Sequence, residues 1–263
     1  MRQVLRSWLL EVGMYVSRYR HEDKVRGLVQ AMRPRHDQKA LVRVGGDGDG
    51  GYLVPDELDG IEAVFSPGVN DNIAFEADML RRGVRAHLLD ASIETVPSGL
   101  TDFTFERKFL GPRDEGDYVT LSTWFQKYAS VADRDDYLLQ MDIEGGEYAV
   151  LQSTPAEILN KFRIIIVEFH SFHEVFHRLA YQTISNPIHH LLGLFDVAHV
   201  HPNNGGYVIG RGKLRVPSLI EVTFVRKDRF REANARLRFP HDLDRKCVAD
   251  RPDLTLPRFW SGP

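Results

Sequence analysis

Gly68, Asp90, Asp142, Glu168, His170 and His201 each stand at or just beyond the end of a short apolar run, a polar set on otherwise apolar segments. Ile61–Ser66 leads into Pro67-Gly68, Arg85–Leu89 into Asp90, and Tyr137–Met141 into Asp142. Arg163–Val167 leads into Glu168-Phe169-His170, and Val197–Val200 into His201-Pro202-Asn203-Asn204. Asp90 follows Gly68 by 22 residues. A glycine there lets backbone pass close to a ligand. A carboxylate about 20 residues further on can accept both ribose hydroxyls of a nucleoside-containing cofactor. A turn glycine and a strand-end cap is the plainer account of the same pair. A dinucleotide site would want several glycines and a helix N-terminus facing pyrophosphate. Gly68-Val69-Asn70-Asp71-Asn72-Ile73 carries one glycine and an aspartate that would repel phosphate, yet it tolerates an adenosyl sulfonium.

These residues become neighbours only if their segments alternate between strand and helix. Asn70–Arg82, with Ile73, Phe75, Ala77 and Leu80, has helical spacing and ends at Gly83. Gly145-Gly146 opens a helical stretch to Leu151, and Ser185–Phe195 reads as a further helix. Arg163–His170 has the β-branched middle of a central strand. Strands alternating with helices predict an α/β fold with a mostly parallel sheet, whose open carboxyl edge binds ligands. No helix separates Val197–His201 from Ile220–Arg226, so these can pair as a hairpin that puts one antiparallel strand into the sheet. The expected organisation is an N-terminal helical cap over 1–40, a catalytic-type domain over 41–230 and an extension over 231–263 packed on it. Arg2–Tyr19 carries Leu5, Leu9, Val12 and Val16 at helical spacing, as a covering helix or a partner helix.

Composition narrows the class further. A net charge of −3 gives no general electrostatic case for nucleic acid. The single cysteine, Cys247, rules out an internal disulfide and a zinc cage built of cysteines. No stretch approaches the ~20 apolar residues of a membrane span. Trp8–Met14 is interrupted by Glu11 and followed by bulky, basic Arg18-Tyr19-Arg20, which is no secretory signal. A cytoplasmic protein is expected.

Met141-Asp142-Ile143-Glu144-Gly145-Gly146-Glu147-Tyr148-Ala149-Val150-Leu151 resembles the D-[IV]-E-G-x-E-x-x-V-L signature of FkbM-type methyltransferases. Asp49-Gly50-Gly51-Tyr52 resembles that family's D-G-G-Y element. Phe65-Ser66-Pro67-Gly68-Val69 with Phe75-Glu76 is similar to its F-S-x-G-V…F-E loop, and His201-Pro202-Asn203-Asn204 to its H-x-N-N element. Asn70 departs from the pattern where many members carry another glycine, although asparagine tolerates positive φ.

The resemblance implies a Rossmann-like, seven-strand class I methyltransferase sheet with helices on both faces. It also implies S-adenosylmethionine at the carboxyl edge and a hydroxyl acceptor on a sugar, glycan or natural product. Asp49, Tyr52, Ser66, Gly68, Asn72, Glu76, Asp90 and Asp142 are the cofactor-binding candidates. A hydroxyl needs a base or a metal before it attacks a sulfonium methyl. Asp142 is the residue best placed to meet the methyl-transfer zone, His170 or His201 could accept the proton, and Glu168 completes the catalytic candidates. Asp142, Glu168 and a histidine, His201 in the first instance, could instead hold Mg²⁺. Glu144 and Glu147 fit equally well as stabilisers of the turn and helix start. Asn203 and Asn204 can bond the acceptor or form a turn.

Two other classes compete. One is a binding module that keeps the fold without catalysis. The other is a zinc peptidase through His173-Glu174-Val175-Phe176-His177, which matches H-E-x-x-H. Its longer form fails, since Ala180 and Thr183 occupy the positions of the further Gly and His. A calcium loop starting at Asp47 fails, since Gly51, Tyr52 and Leu58 stand where an oxygen ligand, a glycine and a glutamate are needed.

Overall fold

A computed structural model describes residues 21–35, 38–97, 100–129, 136–231 and 239–260. The amphipathic stretch Arg2–Tyr19 lies outside the described residues. After helix α1 (Glu22–Ala31), strands β1 (Leu41–Val44) and β2 (Tyr52–Pro55) pair as an antiparallel hairpin. The sheet then begins with β3 (Ala63–Pro67), α2 (Ala74–Arg81), β4 (Arg85–Leu89) and β5 (Phe103–Glu106). Two-residue strands β6 (Phe109–Leu110) and β7 (Tyr118–Val119) precede α3 (Leu121–Tyr128) and β8 (Tyr137–Met141). Next come α4 (Glu147–Ser153), α5 (Ala156–Leu159), β9 (Phe162–Phe169) and α6 (Tyr181–Leu194). Strand β10 (Phe195–Pro202), the hairpin β11 (Val208–Arg211) with β12 (Leu214–Pro217), and β13 (Ile220–Arg226) complete the order.

Seven of these strands form one sheet in the order β10-β13-β9-β8-β3-β4-β5. Strands β9, β8, β3, β4 and β5 pair in parallel, which puts Asp142 beyond the end of the central strand. Strand β13 runs antiparallel to both β9 and β10. The expected pairing of the last two strands therefore forms, but with β11–β12 inserted and with two antiparallel ladders around β13.

Alternation along the central strands divides the core between two faces. Phe65, Leu139, Ile165 and Val167 face α1, α3, α4 and α6, whereas Val64, Leu138, Ile164 and Ile166 face α2 and the β1–β2 hairpin. Every residue of β8 and β9 is buried, as a doubly covered parallel sheet requires. Phe65 meets Trp124 at 5.0 Å and Phe162 at 5.8 Å between ring centroids, both edge-on, and Phe125 at 5.3 Å in a tilted arrangement. Truncating such a ring costs about 3–5 kcal/mol.

Helix α2 starts at Ala74, not Asn70, because Asn70 adopts φ 50°, outside the helical region. Nothing in the sequence reading covered β5, β6, β7 or α3. Helix α3 rests on Leu121, Trp124 and Phe125 facing the core, with the Thr120 hydroxyl accepting from Thr123 N–H at 3.2 Å. The H-E-x-x-H segment is a 3₁₀ turn, Phe172–Phe176, with His177 already extended beyond it. Its two histidines therefore do not share an α-helical face as the peptidase reading expected, and His173 Nε2 instead lies 3.0 Å from the Tyr207 hydroxyl.

Candidate active site

The carboxyl ends of β3, β4 and β8 open on a cavity of about 490 Å³, within the range of small-molecule sites. Asp49, Tyr52, Gly68, Asn72, Glu76, Asp90 and Asp142 all line it, so seven of the eight cofactor-binding candidates converge. Ser66 lies beneath the lining as part of its support. Acidic side chains at Asp49, Asp71, Glu76, Asp90, Asp142 and Glu144 border the space, and no Lys, Arg or His does so among the described residues.

Gly68 has φ 82°, and a Cβ there would fall 1.6 Å from the Asp142 carbonyl oxygen. Its missing side chain lets the ends of β3 and β8 close on each other, a tighter requirement than ligand approach alone. Asp90 fixes the loop that follows. Its Oδ2 accepts from Asn70 N–H at 2.8 Å, and its Oδ1 accepts from Ser92 N–H at 2.7 Å and Ser92 Oγ at 2.6 Å. Each carboxylate oxygen has two lone-pair directions, so one remains open, on Oδ2.

A buried polar floor lies under the cavity. Ser66 Oγ is within hydrogen-bond reach of Glu76 Oε1 and of Gln140 Oε1 (2.6 Å), but it has one proton to donate. Burial raises the pKa of Glu76, with its hydrogen bond to Ser66 opposing the shift. Gln140 Nε2 in turn donates to the Tyr52 hydroxyl at 3.1 Å. Gln140 was missed by the sequence reading, although it is the one strongly polar side chain inside Tyr137–Met141. Ser92, two residues after Asp90, carried the signal of an Asx-type turn. Phe109 and Tyr118, exposed at the cavity margin with ring centroids 5.6 Å apart, sit on two-residue strands that leave no periodic trace.

The D-I-E-G-G-E segment builds the corner of the cavity beyond β8. Glu144 and Gly145 take φ 55° and 103°, turning the chain sharply into α4. Glu147 is fully buried; its Oε1 accepts from Ile143 N–H at 3.3 Å and Gly145 N–H at 3.0 Å, which is the turn-stabilising role the sequence allowed. The same oxygen lies 2.9 Å from His170 Nδ1. His170 Nε2 then points to Glu144 Oε2 at 3.2 Å and Asp142 Oδ1 at 3.8 Å. Burial lifts the Asp142 pKa to about 7, with the Glu144, Glu147 and Asp49 charges adding to it and His170 opposing. Burial alone would lower the pKa of His170, but its hydrogen bond to Glu147 and the surrounding acids raise it. Glu168 is pushed well above the usual carboxylate range by burial and by the neighbouring Asp142 and Glu221 charges.

Asp142, Glu168 and His170 offer ligand atoms within 4.8 Å of one another, and Asp142 Oδ1 and Glu168 Oε2 are buried without a hydrogen-bond partner. The structure thus groups His170, not His201, with these two carboxylates. His201 belongs to a second cluster with Glu221 and Cys247. Asn203 Nδ2 donates to Glu168 Oε1 at 2.9 Å, and Asn203 Oδ1 accepts from Gly205 N–H at 2.8 Å. Asn204 exchanges hydrogen bonds with both backbone groups of Val248, so it ties down the C-terminal segment.

No helix of the described residues is long and apolar enough to cross a membrane. The methyltransferase FkbM domain matches residues 69–201, just over half of the 263-residue chain. The matched span holds Asp90, Asp142, Glu168, His170 and His201. No curated protein matches the sequence.

Proposed function

The chain belongs to the FkbM methyltransferase family, and from that premise we propose that it is an S-adenosylmethionine-dependent O-methyltransferase acting on a sugar, glycan or natural-product hydroxyl. The observation that carries this reading is the acidic cavity, bordered by six carboxyl side chains and, among the described residues, by no Lys, Arg or His. Such a field favours a sulfonium cation and disfavours the phosphates of a dinucleotide. It disfavours phosphorylated acceptors for the same reason, so a neutral polyhydroxyl acceptor fits.

The cofactor supplies a methyl group already activated on sulfur; the chain supplies position and a proton acceptor. The open lone pair of Asp90 Oδ2 accepts a ribose hydroxyl. Asp142, which lines the cavity and has a buried Oδ1 without a hydrogen-bond partner and a pKa near neutrality, takes the proton of the acceptor hydroxyl as the oxygen attacks. His170, held at Nδ1 by Glu147, is a positioning residue that keeps Asp142 partly ionised. Glu168 supports the corner from beneath through Asn203.

Titration with S-adenosylhomocysteine, followed by transfer of labelled methyl from S-adenosylmethionine to a panel of neutral glycosides and polyols, tests the reading. Micromolar binding and label in an acceptor ether support it. Absence of binding sinks it, and binding without transfer to any acceptor favours the non-catalytic module.

The cluster of Asp142, Glu168 and His170, with two orphaned carboxylate oxygens, supports a second version in which Mg²⁺ sits there and lowers the acceptor's pKa. Chelation followed by Mg²⁺ addition separates the two versions. Activity that survives chelation leaves Asp142 as the sole proton acceptor.

A further inference from the structure

Glu168, Glu221 and His201 stand in one row across β9, β13 and β10, with Glu221 directly opposite Glu168 on one side and His201 on the other. Opposed carboxylates repel unless a proton or cation lies nearby. The C-terminal segment brings the one cysteine to the same place, Cys247 Sγ lying 3.0 Å from Glu221 Oε1. His201 is a second oddity. Its side chain is 6 % exposed, and neither ring nitrogen has a hydrogen-bond partner. A buried polar atom left without a partner costs about 1–3 kcal/mol, so this imidazole is a donor awaiting a ligand. One atom from each of His201, Glu221 and Cys247 lies within 4.8 Å of the other two.

We propose that His201, Glu221 and Cys247 form a binding site for Zn²⁺ that fastens the C-terminal segment to the sheet. Nitrogen, oxygen and sulfur donors together suit this borderline-soft ion. The carboxylate and a thiolate neutralise its two charges, and the Cys247 proton, now donated to Glu221, leaves to solvent on binding. Asp244 supplies the outer support. Its Oδ1 is 2.8 Å from His199 Nε2 and 3.6 Å from His201 Nδ1, close enough to orient the imidazole after a small ring rotation. Three side chains fill three of the four tetrahedral positions and leave the last for water. Glu221 and Cys247 lie beyond the residues matched by the family, and none of the three residues lines the cavity at the ends of β3, β4 and β8.

The test uses the full-length, untagged chain without S-adenosylmethionine, loaded with Zn²⁺ and, in parallel, with Co²⁺. One equivalent of zinc after desalting is expected, with a thiolate-to-cobalt charge-transfer band in the Co²⁺ form. Cys247 is the only residue that can produce that band. Cys247→Ser should abolish it and the zinc stoichiometry. Asp244→Asn should weaken zinc by about 10–100-fold, and Asp142→Asn should leave it unchanged. A folded wild-type chain that retains no zinc overturns the proposal and leaves a protonated His201 paired with Glu221 and Asp244. A Co²⁺ form lacking the thiolate band, or zinc retained in both Cys247→Ser and His201→Asn, overturns it as well. Should Cys247→Ser fail to fold, the wild-type cobalt spectrum decides alone. None of these readouts depends on methyl transfer.

Discussion

Asp142 and Asp244 are both aspartates beside histidines at the same edge of the molecule, and their surroundings push them in opposite directions. Asp142, 27 % exposed at the cavity, has one histidine 3.8 Å away and three acids nearby; burial wins and its pKa rises to about 7. Asp244, 4 % exposed, is also penalised by burial. The hydrogen bond from His199 and the nearby His199 and His201 charges outweigh that penalty and hold it far below the ordinary carboxylate range. Its Oδ2 accepts a further bond from His241 N–H at 2.7 Å. The lesson is that burial alone does not decide the state of a carboxylate; the number of donors aimed at it does. A carboxylate short of donors at a cavity keeps a proton up to near-neutral pH, and one saturated with donors under a loop gives its proton up far more readily.

The sharpest way to break this contrast is to neutralise each aspartate in turn. Asp142→Asn should lower kcat by about 10²–10⁴-fold, the usual weight of a general base, while S-adenosylhomocysteine still binds. Steady-state methyl transfer and calorimetric titration read the two arms, and a rate within threefold of wild type would remove Asp142 from proton transfer. Asp244→Ala should do the reverse. Breaking a buried pair costs about 3–5 kcal/mol, read as a lower midpoint in urea at pH 7, with cofactor affinity unchanged. A depressed acid contributes stability that is present above the unfolded value near 3.8 and lost as pH falls. The gap between wild type and Asp244→Ala should therefore close in acid.

Much of this was legible in the sequence because the parallel core strands are near-continuous apolar runs ended by one polar residue. Tyr137–Met141 with Asp142 and Arg85–Leu89 with Asp90 announce both strand and site. The 91–129 stretch was opaque for the opposite reason. Strands β6 and β7 have two residues each, and α3 has only two turns, too short for periodicity to emerge. The pairing of Asp142 with His170 in place of His201 was equally hidden. Both histidines follow sheet strands, and only the register across β13, which separates β10 from β9, shows that His201 lies two strands from the cavity corner. Cys247 gave no signal, because its neighbours on β10 and β13 are distant in sequence.

A smaller effect is expected from Asp90→Ala. Each hydrogen bond to a charged group is worth about 1.5–3 kcal/mol, so losing the ribose contact should weaken S-adenosylhomocysteine by about 10–100-fold. Unchanged affinity in a titration would strip Asp90 of that role and leave it as the clamp on Asn70 and Ser92.

The smallest effect is also the most discriminating, because it runs against the usual direction of a mutation. A carboxyl group whose folded pKa is about 7, against an ordinary 3.8, binds its proton more tightly in the native chain than in the unfolded one. Native stability therefore falls as pH rises from about 4 to about 7 and stays lower above that range. Asp142→Asn mimics the protonated form at every pH. His170 keeps its bond to Glu147 in the variant, so little is lost beside the substituted group. The variant should consequently melt above wild type at pH 8, by about 2–4 °C for each kcal/mol recovered, and level with it at pH 4. Scanning calorimetry at the two pH values reads the difference. A variant that melts at or below wild type at pH 8 would show that donors supplied by the protein or by a bound cation already satisfy the Asp142 carboxylate, and the distinction between the two aspartates would then dissolve.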